Sequence, residues 1–330
     1  MRARTALWQH GAMLQRRVLI STALASLSAP AWAAPGFAGF VASVRAEAGR
    51  AGVRPAVLDE ALHGLTPNPD VIRLDRKQPE FTLTWAQYRA RVLPRRRLDK
   101  GGAAYTDNAA LLSETAERYG VDPGVIVGIW GLESGFGANT GGFGVVRSLA
   151  TLAYEGRRAA FFRGELLAAL RILNDGDIGA SAMMGSYAGA MGQPQFMPSA
   201  FLRYAADGDG DGRRDIWNSR PDIFASVANY LARCGWRQGE PWGQPVLVPS
   251  GFAGATGRDV MRPLGAWQAE GVRRIDGRAF SRLDVRGALL LPDGPGGDAF
   301  MVYPNFHVIR RYNPSDFYAL AVGLLGMYAA

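Results

Sequence analysis

The chain has 330 residues, 48% of them hydrophobic, with a formal charge of +8, which is enough to bury one large core or two smaller ones. A single cysteine, Cys234, rules out an internal disulfide and reads as a small core residue. The positive balance suits a polyanion. With only His10, His63 and His307, however, no metal-dependent phosphodiesterase constellation can be assembled, so an acidic extracytoplasmic polymer is a better partner than nucleic acid.

The first segment is an address. Arg16-Arg17 precede an apolar run from Val18 to Leu27, and Ala31-Trp32-Ala33 supplies a small-x-small cleavage site. This predicts a secretory signal peptide over 1–33, exported by the Sec route or, given the arginine pair, the twin-arginine route. The run is too short for a permanent membrane anchor, and no cysteine follows it to carry a lipid. Removing the four arginines of the signal leaves about +4 on the mature chain. The expected product is periplasmic and not lipidated.

From Phe37 to Leu65 apolar residues recur at three- and four-residue spacing, until Pro67 and Pro69 interrupt them. The aromatic stretch from Gln78 to Tyr88 places Trp85 and Tyr88 three apart, read as a helix-packing stripe in preference to a sugar-binding surface. A helix over Ala109 to Tyr119 closes at Gly120. The next begins at Asp122, a cap residue, with Pro123 in its first turn. It ends in Trp130-Gly131-Leu132-Glu133-Ser134. Counting back from Glu133, Trp130, Ile129 and Ile126 share its helical face. Desolvation and the negative end of the helix dipole both favour the neutral acid, which is how a general acid working near neutral pH is made. The pattern alone also allows Glu133 to fray into water.

Gly135 to Gly144 is a glycine-rich loop, not a phosphate cradle, since no Lys-Ser/Thr pair follows it. Amphipathic helices are expected over Ser148–Tyr154 and Phe161–Leu173. The segment from Gly185 to Pro198 interleaves small residues with Ser186, Tyr187, Gln193 and Gln195, as suits either a cleft wall or tight helix packing. Asp207, Asp209 and Asp211 then occupy positions one, three and five of a loop with Gly212 at six. This spacing matches an EF-hand calcium loop. Arg213 takes position seven, Asp215 nine and Asn218 twelve, where the full pattern has a bidentate Glu; Asp222 is another candidate donor. An acidic turn without an ion is the alternative. Helix returns over Asp222–Cys234. From Trp236 to Tyr303 the pattern changes to glycine, proline and short strand-like runs at 245–248, 282–285, 288–291 and 299–303. A helix from Ser315 to Met327 ends the chain.

Taken together, these segments resemble the lytic murein transglycosylase B family, glycoside hydrolases of family 103. The resemblance is carried by Trp130 to Ser134, Gly185 to Gly192, Gln195 to Ser199, the Asp-rich loop, Ser226 to Tyr230, and Tyr312-Asn313-x-Ser315 through Tyr318-Ala319. It implies a mainly α (α+β) chain: a lysozyme-like helical core with a flanking helical domain and a small β-rich inserted domain. The expected divisions are 34–105, helical; 106–235, catalytic core; 236–303, β-rich; and 304–330, a return to the core. By position, Glu133 falls on the family's catalytic acid/base. Ser186, Tyr187, Gln195, Tyr312, Asn313 and Tyr318 fall on substrate-cleft residues. Asp207, Asp209, Asp211, Arg213, Asp215 and Asn218 fall on a structural Ca2+ site. The implied partners are peptidoglycan glycan strands and further cell-wall machinery, with the enzyme acting as a monomer. Ordinary glycosidases need two carboxylates, and apart from the cap Asp122 at the far end no second acid accompanies Glu133 in its helix or in 185–199. One suffices if, as the resemblance implies, the substrate's own C6 hydroxyl attacks C1, giving a lyase that leaves 1,6-anhydro-MurNAc ends. A lysozyme-type peptidoglycan hydrolase with a second carboxylate, or a non-catalytic peptidoglycan-binding module, is the alternative.

Overall fold

The computed structural model describes residues 36–77 and 83–330. The expected signal peptide and residues 78–82 of the aromatic stretch lie outside them. Helices α1 (Phe37–Arg50), α2 (Pro55–Leu62) and α3 (Pro69–Arg76) open the chain. The continuous apolar pattern of 37–65 is thus two helices, separated at Gly52, whose φ of 89° ends the first. Next come α4 (Trp85–Val92), α5 (Arg95–Asp107), α6 (Ala109–Tyr119) and α7 (Pro123–Ser134). Strand β1 (Phe143–Gly144) pairs antiparallel with β2 (Met184–Gly185), and between them run α8 (Val145–Glu155) and α9 (Ala159–Asp175). Then follow α10 (Pro198–Tyr204) and α11 (Arg220–Arg233).

The β-rich stretch forms one antiparallel sheet from β3 (Gly243–Leu247), β4 (Arg262–Pro263), β5 (Arg273–Arg274), β6 (Arg286–Leu290) and β7 (Phe300–Val302), in the order β4-β6-β7-β3-β5. A short α12 (Leu264–Ala269) lies within it, and α13 (Pro304–Tyr312) and α14 (Asp316–Ala329) complete the chain. The expected strand at 282–285 is a turn instead. Its alternation gives no buried face, because Leu283 is 46% exposed and only Val285 packs on the core, and its carbonyls serve α12: Leu283 O accepts from Gly265 N and Val285 O from Leu264 N.

Three apolar cores organise these elements. One joins α4, α6, α7, α11, α13 and α14 with one face of the sheet, through Trp85, Ile126, Ile129, Trp130, Phe224, Phe300, Phe306 and Leu320. A second joins α1–α3 to α8–α10, through Val44, Leu58, Val71, Leu149, Leu166 and Phe201. The third lies on the sheet's other face, around Trp267, Leu289 and Met301. Residues 36–76 therefore bury their side chains in the second core, and residues 85–92 in the first.

The packing that positions the site is α7 against α14. Glycines of α7 face the α14 backbone: a Cβ on Gly128 would lie 2.3 Å from Val322 O, and one on Gly124 2.9 Å from Gly326 O. Small residues let two backbones approach this closely, so the rest of both helices gains dispersion contact. Helix α7 starts as its sequence dictates, with Asp122 Oδ1 accepting from Gly124 N at 2.7 Å and Pro123 as its first residue. It ends at Gly135, in the left-handed region, with Phe136 N bonded back to Trp130 O.

Gly128→Ala forces a methyl into the Val322 carbonyl and is expected to cost about 3 kcal/mol in urea unfolding. Gly102→Ala, in α5 with open space beside it, should stabilise by up to about 1 kcal/mol. Equal unfolding midpoints for the two variants would show that the helices do not touch as described.

Candidate active site

Glu133 sits in the last turn of α7, one helical turn beyond the buried Trp130. Its Oε1 accepts a 2.6 Å hydrogen bond from the Tyr318 hydroxyl. Tyr318 stands in the first turn of α14, whose cap is Ser315, its Oγ accepting from Tyr318 N. The α7–α14 approach therefore places a phenol against a carboxyl 185 residues away in sequence. Burial pushes the Glu133 carboxyl up to about 7, against the smaller opposing effect of the Tyr318 hydrogen bond. Around neutral pH the group is divided between a proton donor and a proton acceptor. The solvated alternative is not what the chain adopts.

The groups around this carboxyl are neutral. Tyr318 and Tyr312 are both held far above the usual phenol range, first by burial and then by the negative charge of Glu133. They therefore stay protonated as donors. The Tyr312 hydroxyl is given to Pro194 O at 2.5 Å, and its ring packs on Tyr230 and Phe196. Tyr88 on α4 also feels Glu133: burial and then that charge raise its phenol, with Arg97 opposing. Its ring meets Phe317, the neighbour of Tyr318. The sequence spacing of Trp85 and Tyr88 favours a helix-packing stripe over a sugar-binding surface. Trp85 packs and also donates its indole N–H to Asp298 Oδ2 at 2.7 Å, while Tyr88 packs and carries the influence of the Glu133 charge.

Loop 135–144 is tied to the segment expected as a cleft wall. Gln195, held at φ 53°, donates its amide to Thr140 O and Gly192 O, leaving its side-chain carbonyl as an acceptor. A Cβ on Gly141 would strike Gly185 O at 2.1 Å, so this loop runs directly over β2. Ser186 closes a turn there: its Oγ accepts from Ala190 N, and its hydroxyl proton remains to donate. Tyr187 lies on the rim of the second core. Asn313 ends α13, its Oδ1 accepting from Ser315 N, and so sets the bend from Tyr312 into α14. Glu133 and Tyr318 are thus brought into direct contact, Tyr312 lies within the influence of the same charge, Gln195 neighbours Tyr312 through Pro194, and Ser186 follows directly on β2.

The Asp-rich loop is a separate cluster. Carboxylate oxygens of Asp207, Asp209 and Asp211 lie within 4.8 Å of one another. Asp207 is held below the usual carboxylate range, first by the N–H of Gly212. Arg213 N closes onto Asp211, and its guanidinium pairs with the same carboxylate at 3.3 Å. Asp215 accepts from the backbone of Trp217 and Asn218, and Asn218 also turns its amide onto it. Asp222, a candidate donor by sequence, is buried beneath the loop, where it accepts from Gly208 N and Asp215 N. It shapes the loop instead of facing a cation.

Comparison with known proteins bears on this arrangement. The family model for the transglycosylase SLT domain matches residues 36–327. Membrane-bound lytic murein transglycosylase B of Escherichia coli is 35% identical over 260 residues, 74% of this chain and 67% of that protein. The structure of SltB3 from Pseudomonas aeruginosa in complex with NAG-anhNAM-pentapeptide aligns at 46% identity and a TM-score of 0.84, covering 88% of this chain and 78% of that one. The E. coli lytic transglycosylase Slt35 in complex with calcium aligns at 30% identity and a TM-score of 0.73, covering 89% and 92%.

A buried acid raised to about 7 makes stability depend on pH. The folded value lies above the unfolded one, so this contribution is complete below pH 4.5 and is lost as pH rises through 7. Glu133→Gln, which keeps a partner for Tyr318, is expected to melt near wild type at pH 5 and to become the more stable protein by pH 8, by up to about 3 kcal/mol. A constant difference across that range would mean the carboxyl titrates as a solvated acid.

Proposed function

This chain belongs to the transglycosylase SLT-domain family, and we propose that it is a peptidoglycan lytic transglycosylase that cleaves the MurNAc-β-1,4-GlcNAc bond with a single acid/base, Glu133. The observation that carries this reading is the Glu133 carboxyl itself: desolvated, raised to about 7, and hydrogen-bonded by the neutral Tyr318 hydroxyl. Protonated Glu133 gives its proton to the glycosidic oxygen as the C1–O4 bond breaks and GlcNAc leaves. The resulting carboxylate then accepts the C6 hydroxyl proton of MurNAc as O6 bonds to C1. The 1,6-anhydro ring closes and Glu133 is again protonated. No water enters and no covalent enzyme intermediate forms, so no second carboxylate is required.

The remaining cleft residues suit an uncharged sugar strand. Ser186 offers its hydroxyl proton and Gln195 its carbonyl. Tyr187 and Asn313 extend the polar lining. Tyr312 and Tyr318 fix the wall and the acid. The relatives point the same way: SltB3 is held in complex with NAG-anhNAM-pentapeptide. The signal-type N-terminus supports a periplasmic enzyme, and among the described residues no helix is long and apolar enough to cross a membrane.

The Asp-rich loop fits a structural Ca2+. Clustered carboxylates of Asp207, Asp209 and Asp211 are hard oxygen donors, with the Arg213 carbonyl at position seven and Asp215 at nine. Asn218 at twelve supplies less charge than a bidentate Glu. Slt35, solved in complex with calcium, is consistent with this assignment.

Glu133→Gln should lower turnover of purified murein sacculi about a thousandfold while sacculus binding persists. Mass spectrometry of wild-type digests should find anhydro-MurNAc ends; reducing MurNAc ends would make the protein a hydrolase. At calcium a hundredfold above its Kd the folded state should gain about 3 kcal/mol, raising the melting temperature by several degrees. Asp209→Asn should shrink that gain, and a melting curve indifferent to calcium would remove the metal assignment.

A further inference from the structure

The cleft-wall segment contains a second glutamine, Gln193, whose side chain is turned into the protein. It is 9% exposed. Its Oε1 accepts from Trp130 Nε1 at 2.8 Å, and its Nε2 donates to Trp217 O at 2.8 Å. Its backbone N–H goes to Ile216 O at 2.9 Å. A Cβ on Gly137 would lie 2.5 Å from its Oε1, so the turn that follows Glu133 also rests on this amide. One side chain therefore touches α7 one turn before Glu133, the left-handed turn just after it, and the exit of the Asp-rich loop. Trp130 is fixed from other directions by Phe136, by Phe224 and by the Arg220 guanidinium 4.2 Å from its ring.

We propose that Gln193 is the positioning residue of the acid/base: it pins the last turn of α7 and the turn beyond it to the 216–217 backbone, and so fixes where the Glu133 carboxyl points. The proposal rests on Glu133 being the catalytic group. An amide is required because the two partners are of opposite kind, an indole donor and a carbonyl acceptor, and both are buried. An apolar replacement leaves each without a partner. A carboxylate keeps the indole bond and repels the carbonyl. Because the reacting geometry tolerates little displacement, the loss should appear in turnover and not in substrate capture.

The test is steady-state cleavage of soluble glycan strands by wild type, Gln193→Leu and Gln193→Glu, with Glu133→Gln beside them. Amide hydrogen exchange over residues 128–137 reports the helix end directly. For Gln193→Leu we expect kcat per folded molecule to fall tenfold to a hundredfold, KM to stay within about twofold, and exchange over 128–137 to quicken. Gln193→Glu, keeping only the Trp130 bond, should recover part of kcat. A Gln193→Leu enzyme with wild-type kcat, or one whose kcat falls with unchanged exchange over 128–137, overturns the positioning role. An active Glu133→Gln would instead overturn the assignment of the acid.

Discussion

The approach of α7 to α14 across glycine faces is the constraint on which the site depends. Glu133 belongs to one helix and Tyr318 to the other, and they meet at 2.6 Å only because Gly124 and Gly128 leave no side chain between the backbones. The same closeness partly desolvates the carboxyl and raises its proton affinity. Packing and chemistry are here one interaction: a wider helix spacing would hydrate Glu133, lower its pKa and remove its phenol partner together. The site lies between two cores, since α7 and α14 belong to the first, while Tyr187 borders and Phe196 joins the second.

The electrostatics around Glu133 are those of a lone acid. A neighbouring cation would have pulled the carboxyl down and left it a permanent base, and a neighbouring carboxylate would have completed an ordinary glycosidase pair. Three tyrosines stand there instead, each raised by burial and by the acid's own charge. They remain neutral donors whether Glu133 holds its proton or not. A proton can therefore leave Glu133 and return to it without its phenol neighbours ionising, as a two-step acid-then-base role requires.

Much of this was legible before any coordinates. The Asp122 cap, the Pro123 start, the apolar face of α7 and the termination at Gly135 are local chemistry, and the helix runs from Pro123 to Ser134 as they dictate. The Asp-rich loop was legible for the same reason: its information is carried in contiguous residues. What stayed hidden is long-range. Trp85 and Tyr88 have one helical spacing, and nothing local shows that the indole of Trp85 donates to Asp298 while the phenol of Tyr88 stands under the influence of Glu133. Asp222 resembled a further cation ligand because it follows the loop in sequence, whereas its carboxyl serves the backbone beneath. Alternation at 282–285 suggested a strand, but a strand needs a face to bury and Leu283 has none. The stretch 34–105 reads as uniformly helical, and only packing divides 36–76 from 85–92.

The backbone at the site is held in conformations it would not choose alone. Gly135, Phe136 and Gly137 follow one another in the left-handed region, and Gln195 joins them across the cleft wall. For Phe136 and Gln195 this costs on the order of 1 kcal/mol each, and such strain persists only where surroundings over-determine it. They do so here: Phe136 packs edge-on against Trp130 at 5.4 Å, and Gln195 is held by two carbonyls. Phe136 follows the acid by three residues and is anchored to α7 through Trp130, and Gln195 is anchored to the backbone of Thr140 and Gly192. A flexible loop in the same place would let the carboxyl sample water and revert toward its ordinary pKa. Rigidity at these turns and desolvation at Glu133 are consequently the same requirement, met once by the helix pair and again by the loop that follows it.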